Sequence, residues 1–321
     1  MTPPLMGGLP APPYPPGPGT VTLSGFADEI SPDPREQLAT LAAESITYLE
    51  LRSAWSVSVA DLTGPQLTAF RAMLADAGVA VSAIGSPIGK IPVDAPLAPE
   101  LDRMRRVAAT ARELGTAIVR VFSFFIPPGE PPERFRTQVI DRMAALAEIA
   151  AGQGLVLAHE NEKEIFGDTP GRCADLITSV NSPALRATFD AANFVQCGVR
   201  PFSEAYGLLR PYLVYLQVKD ALAATGEVVP AGQGDGQMRE TLAALRDSGF
   251  AGFMSLEPHL ARAARHGGVQ RTRGLHPGRP IAQIDPERAG YPLALNAICP
   301  GRVRRPGRNG AGLLCGVGPH G

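Results

Sequence analysis

The sequence predicts an α/β protein folded as a (β/α)8 barrel, and three observations carry the prediction. Eight short β-branched or apolar runs recur, at residues 21–26, 47–52, 79–84, 117–122, 155–160, 185–190, 213–218 and 253–257. Longer stretches with helical periodicity separate them, clearest at 34–43, 64–77, 101–114, 134–151 and 237–248. The chain has 321 residues, enough for the roughly 250 that such a barrel uses.

Each element has a local reason. Strand-like runs spaced by about 25–40 residues and bridged by helices imply a parallel sheet with right-handed crossovers, and eight strands close it. Helix-stopping glycines stand just before several strands, at Gly78, Gly115, Gly154 and Gly249. A doubly wound open sheet is the competing architecture, but no GxGxxG follows the first strand.

Both ends depart from this pattern. Residues 1–19 are rich in proline and glycine, with neither the basic start nor the apolar run of a secretory signal, and read as a disordered leader or a misplaced start. The barrel domain covers 20–266. Residues 267–321 are rich in Arg, Pro and Gly without helical periodicity, so the eighth helix is expected to be missing or replaced by an irregular tail. A one-base insertion near Gly268 in a GC-rich gene would produce such a tail. Written in one choice of GC-rich codons, 269–279 re-read one base on gives an amphipathic sequence beginning Phe-Ser-Gly-Pro-Glu-Gly-Phe.

Composition removes several function classes. With 30 basic and 31 acidic residues, the chain has no general attraction for nucleic acid or anionic membrane. No apolar run reaches the roughly 18 residues a membrane span needs. Cys173, Cys197, Cys299 and Cys315 show neither CxxC pairing nor zinc spacing, which suits free thiols in a cytoplasmic protein. Lysine is scarce: Lys90, Lys163 and Lys219 are the only three, as expected of a GC-rich genome that uses arginine elsewhere.

Strand residues two apart share a face, and polar pairs with that spacing end several strands: Glu50 and Arg52, Glu160 and Glu162, Gln217 and Lys219, Glu257 and His259. A barrel interior is normally apolar, so these pairs belong at the open C-terminal mouth, where such barrels place their chemistry. One carboxylate at the end of each of strands 5, 6 and 8 makes an oxygen-rich cluster that suits a hard divalent cation. Two such carboxylates could also take and return a proton beside a carbonyl.

Four segments sharpen this. Leu157-Ala-His-Glu-Asn-Glu-Lys163, Thr188-Phe-Asp-Ala-Ala-Asn-Phe194, Tyr215-Leu-Gln-Val-Lys-Asp220 and Ser255-Leu-Glu-Pro-His259 resemble the strand-5 to strand-8 motifs of the xylose isomerase-like TIM-barrel superfamily. Gly25-Phe-Ala-Asp-Glu29 and Leu49-Glu-Leu-Arg52 extend the likeness to strands 1 and 2. The resemblance implies a sugar or sugar-phosphate isomerase or epimerase working through an enediolate, with a divalent cation (Mn, Mg, Co or Zn). It further implies Glu160, Asp190 and Glu257 as metal ligands, and Glu160 and Glu257 as the acid/base pair. The family usually has His where Gln217 stands; the amide oxygen can still ligate, but the basic nitrogen is gone.

The remaining assignments are smaller. Lys219 is expected to neutralise charge in the reaction, with a salt bridge to Asp220 or Glu257 as the alternative. Glu50, Arg52, Trp55 and His259 are candidate substrate contacts. His159 alternates away from Glu160 and reads as structural. Residues 85–90 fall short of a phosphate loop and read as rim backbone, while Gly232-Gln-Gly-Asp-Gly236 occupies a loop where barrels often bind phosphate. A dehydratase of an inosose- or shikimate-like substrate, or a non-catalytic sugar-binding relic, would use the same residues. A DNA-repair endonuclease on this fold would need several histidines for zinc and a basic face, which this sequence lacks. The expected partner is a small carbohydrate; the oligomeric state stays open, a homo-oligomer included.

Overall fold

The computed structural model describes residues 21–257. The leader, the tail with its frameshift reading, the place of an eighth helix and His259 lie outside the described residues. Within them, eight parallel strands close into one barrel in sequence order. They are β1 (Val21–Gly25), β2 (Tyr48–Leu51), β3 (Ala80–Gly85), β4 (Ile118–Val121), β5 (Val156–Glu160), β6 (Leu185–Asp190), β7 (Leu213–Val218) and β8 (Gly252–Leu256). Closure runs through β1 and β8, where Leu23 lies opposite Met254 and Gly25 opposite Leu256.

Helices α1 (Pro34–Ala43), α2 (Gly64–Ala77), α3 (Ala98–Glu113), α4 (Arg136–Gly152), α5 (Pro170–Val180), α6 (Ala191–Gln196) and α7 (Met238–Asp247) fill the crossovers. Their starts follow from the sequence. Asp33 caps α1 by accepting from the Arg35 N–H, and Thr63 with Gln66 forms a capping box at α2. Gly78 ends α2 at φ +64°, a left-handed turn that other residues adopt at a cost. Helix α5 was not among the clearest periodic stretches, although Cys173, Leu176 and Ile177 are its buried stripe. The outer core is the apolar layer between helices and strands, with Phe70, Met104, Val107, Met143, Leu146, Leu176 and Leu245 all buried.

The barrel interior is less apolar than expected. Ser24 Oγ lies 2.6 Å from Ser82 Oγ, which is 2.8 Å from the Tyr215 hydroxyl. These hydroxyls satisfy one another, so their burial costs little.

Three successive loops at the mouth are laced together. Phe122 and Phe124 donate their N–H groups to the carbonyls of Ile88 and Gly89 at 2.8 and 2.9 Å. Ile126 donates to Glu164 at 2.9 Å, and Phe166 to Phe124 at 3.1 Å. Phe124 and Glu164 sit at φ +66° and +67°, a region non-glycine residues enter only when neighbours hold them there. Gly89 is required at the crossing, because a Cβ there would lie 2.0 Å from the Phe122 carbonyl oxygen.

Candidate active site

The C-terminal ends of β5, β6 and β8 deliver Glu160, Asp190 and Glu257 to one place. All three are buried, and one oxygen from each lies within 4.8 Å of the others. Each is fixed by a cation. Arg120, on β4, reaches Glu160 Oε2 at 3.2 Å, and Arg52, just past β2, reaches Glu257 Oε1 at 2.9 Å. Lys219 Nζ lies 3.0 Å from Glu257 Oε2 and 2.8 Å from Asp190 Oδ2, the latter an ion pair outside good hydrogen-bond angles. Lys219 therefore bridges two of the three carboxylates and does not pair with Asp220.

The polypeptide after each strand completes this arrangement. Asp190 caps α6 by accepting from the Asn193 N–H at 2.8 Å, and the Asn193 side chain donates to Glu160 Oε1 at 3.1 Å. Asn161 exchanges a reciprocal pair of bonds with the Asp190 backbone, both 2.9 Å. Two guanidinium groups lie near the Phe26 ring, Arg52 at 4.7 Å and Arg120 at 5.4 Å from its centre. Arg120, Asn161 and Asn193 were not singled out from sequence. Arg120 carried a signal, since it interrupts the apolar run Ile118-Val-Arg-Val121.

Gln217 pairs with Glu50 at the level of Asp190. Asp190 and Gln217 are register partners on adjacent parallel strands, so their side chains share the interior face. The Gln217 amide nitrogen donates to Glu50 Oε1 and Oε2 at 3.1 and 3.0 Å, and its buried carbonyl oxygen has no partner. Burial pushes the Glu50 carboxyl up to about 7 despite Arg120. Burial likewise raises Asp190 to about 7, opposed by Lys219 and reinforced by Glu160 and Glu257. Glu160 is raised by burial, again against Arg120.

These donors fit a divalent cation. Three buried carboxylates form an all-oxygen set of the kind Mg or Mn prefers, and Gln217, the register partner of Asp190, has an unpartnered amide oxygen. Fit is a matter of donor chemistry here, not of open space. A cavity of about 150 Å³ lies at the opposite end of the barrel beside Ser82 and Thr116, and a groove of about 400 Å³ runs along the rim past Pro127 and Glu164. Neither is lined by the carboxylates.

Other residues fall elsewhere. Trp55 packs edge-on against Phe70 of α2, with ring centres 6.0 Å apart. His159 is buried behind β5, 2.9 Å from Ser123 Oγ, and burial lowers its pKa to about 3. The glycine-rich loop after β7 corrects the phosphate expectation. The N–H groups of Gly232, Gly234 and Gly236 all point at the Asp220 carboxylate, at 2.8, 3.0 and 2.8 Å. The protein's own anion fills that nest, leaving none of these amides for a ligand.

Residues 36–275 match the family model described as xylose isomerase-like TIM barrel. A 2-epi-5-epi-valiolone 7-phosphate 2-epimerase from an Actinoplanes species is 33% identical over 180 residues, or 56% of this chain; the match spans 64% of that protein's length. Two solved structures share the fold at low identity. One is a xylose isomerase-like protein from Mycobacterium smegmatis in complex with magnesium (TM-score 0.58, 21% identity, 74% of this chain and 90% of that one). The other is a D-psicose 3-epimerase with D-tagatose from Clostridium cellulolyticum H10 (TM-score 0.60, 13% identity, 74% and 85%). Among the described residues no helix is long and apolar enough to cross a membrane.

Proposed function

We propose, because this chain belongs to the xylose isomerase-like TIM-barrel family, that it epimerises or isomerises a sugar or sugar phosphate by moving a proton at the carbon beside its carbonyl. One observation carries the reading: Glu160 and Glu257 reach a common point from β5 and β8, buried and each held by an arginine. The curated relative, named as an epimerase of a 7-phosphate, points the same way.

The residues divide the work. Burial raises the Glu160 carboxyl above its ordinary range, which favours its taking a proton and giving it back, as acid–base catalysis at a carbon centre needs. Glu257 faces the same space and serves as the second proton carrier, so one carboxylate removes a proton and the other delivers one. Arg120 and Asn193 fix the rotamer of Glu160, and Arg52 fixes that of Glu257, so neither must reorganise during transfer. Lys219 supplies positive charge where the enediolate oxygens gather charge. Glu160, Asp190, Glu257 and the Gln217 carbonyl would hold a divalent cation; when bound, it stabilises negative charge on substrate oxygen.

Proton NMR in deuterated water tests this directly. A panel of hydroxy-ketones and aldoses, free and phosphorylated, should reveal at least one that gains deuterium beside its carbonyl without losing water. Exchange should fall by on the order of 10²–10⁴ in Glu160→Gln and Glu257→Gln. Loss of water would mark a dehydratase instead, and absence of exchange across the panel would overturn the reading.

A further inference from the structure

Two of the three lysines of this chain pair with one carboxylate. Lys90 Nζ lies 3.3 Å from Glu162 Oε2, and Lys163 Nζ lies 3.7 Å from Glu162 Oε1. Lys219 is near enough that its charge acts on Glu162 as well. Burial alone would raise the Glu162 carboxyl; the three ammonium groups and the Lys163 N–H outweigh it and hold the group below its ordinary range.

An ordinary rim salt bridge does not account for the choice of residue. Among the described residues, every ion pair away from the mouth uses arginine, as at Arg71, Arg103, Arg136 and Arg172. Arginine therefore serves wherever this chain needs a structural cation. Lysine is a compact point charge without arginine's planar fork, and it is kept at the mouth alone.

The loop carrying Lys90 is built to hold it. The Gly89 N–H is bonded to Glu100 at 2.7 Å and the Lys90 N–H to the Pro87 carbonyl at 2.9 Å, so these amides are spoken for and the Lys90 side chain is what the loop offers. Its ammonium sits 4.2 Å from the centre of the Phe122 ring. Lys163 is steadied by Gln196 Oε1 at 3.1 Å. The lysine side chains are 26% and 47% exposed, so a ligand can reach both.

We propose that Lys90 and Lys163 form the receptor for a phosphoryl group on the substrate, with Glu162 as the resident carboxylate that this group displaces. Charge selects the ligand. Two ammonium groups share one negative charge on Glu162, and a phosphomonoester dianion balances both, whereas a substrate carboxylate would only repeat what Glu162 supplies. Glu162 follows Glu160 by two residues, which sets the phosphoryl end beside the proton-transfer centre. The inference rests on the proton-transfer reading only for the identity of the molecule that bears the phosphate.

Calorimetric titration of the full chain with inorganic phosphate, at constant ionic strength, provides the test. Lys90→Met and Lys163→Met should each weaken phosphate binding about tenfold, Lys90→Arg should recover only a minor part of the loss, and Glu162→Gln should tighten binding about tenfold. Preference for a phosphorylated ketose over its parent should narrow to a similar degree in Lys90→Met. Thermal melts confirm that each variant is folded. Phosphate affinity untouched by both methionine variants, or weakened by Glu162→Gln, overturns the proposal. If phosphate binding follows the variants while no ketone exchanges its proton, the proton-transfer reading falls and the receptor stands. Exchange that ignores the phosphoryl group has the opposite meaning.

Discussion

The Gln217 amide nitrogen donates to both oxygens of Glu50, at 3.1 and 3.0 Å, and this orientation leaves its carbonyl oxygen buried without a partner. Once ionised, above about pH 7, Glu50 only accepts, so it holds the amide nitrogen toward itself. Removing that support in Glu50→Ala should lower Mn affinity about 10–100-fold, the usual effect of losing a residue that orients a ligand. Gln217→His should shift preference toward Zn or Co and add a nitrogen coupling to the electron-spin-echo spectrum of bound Mn. Calorimetry and that spectrum check both outcomes.

The raised carboxylates give a pH dependence of definite sign. Asp190 and Glu50 hold their protons up to about 7 when folded, against 3.8 and 4.5 in an unstructured chain. Their contribution to stability is therefore fully present at low pH and is lost as pH rises toward and through 7. In chelator, the melting temperature should fall as pH rises from about 4 to about 7, and Asp190→Asn should flatten the slope. Added Mn should reverse the trend, because the ion binds the ionised carboxylates and its affinity rises with pH.

Glu160→Gln keeps one acceptor oxygen, enough for Arg120 or for Asn193 but not for both on their separate sides, and removes the proton carrier. Exchange into deuterated water should drop by on the order of 10²–10⁴, and thermal melting should show a folded protein.

Asp220 should prove structural. Its carboxylate accepts from Ala221, Gly232, Gly234 and Gly236. Asp220→Ala strands these N–H groups and should cost on the order of 3 kcal/mol in urea unfolding. Gly234→Ala should also destabilise, since its Cβ would lie 2.4 Å from Asp220 Oδ1.

The strands were legible because each is a short run in which burial on both faces selects apolar and β-branched residues, and boundaries agree within a residue or two. The carboxylates at the ends of β5, β6 and β8 were legible because charge at a strand end is costly without a purpose. Pairings between distant segments were not. Nothing local in Glu50 and Gln217, 167 residues apart, says that they touch, and the Lys90–Glu162 pair exists only once the barrel closes. The glycines at 232–236 have the composition of an anion nest; the sequence did not disclose that Asp220 would be the anion.

The lacing of residues 86–93, 122–126 and 164–166 has a consequence for re-engineering the mouth. Segments that exchange backbone hydrogen bonds across two left-handed residues behave as one inherited cassette, not as three interchangeable parts. Transplanting a single one of these loops from another barrel should misplace the other two, and with them Lys90. A graft meant to change specificity should carry all three together.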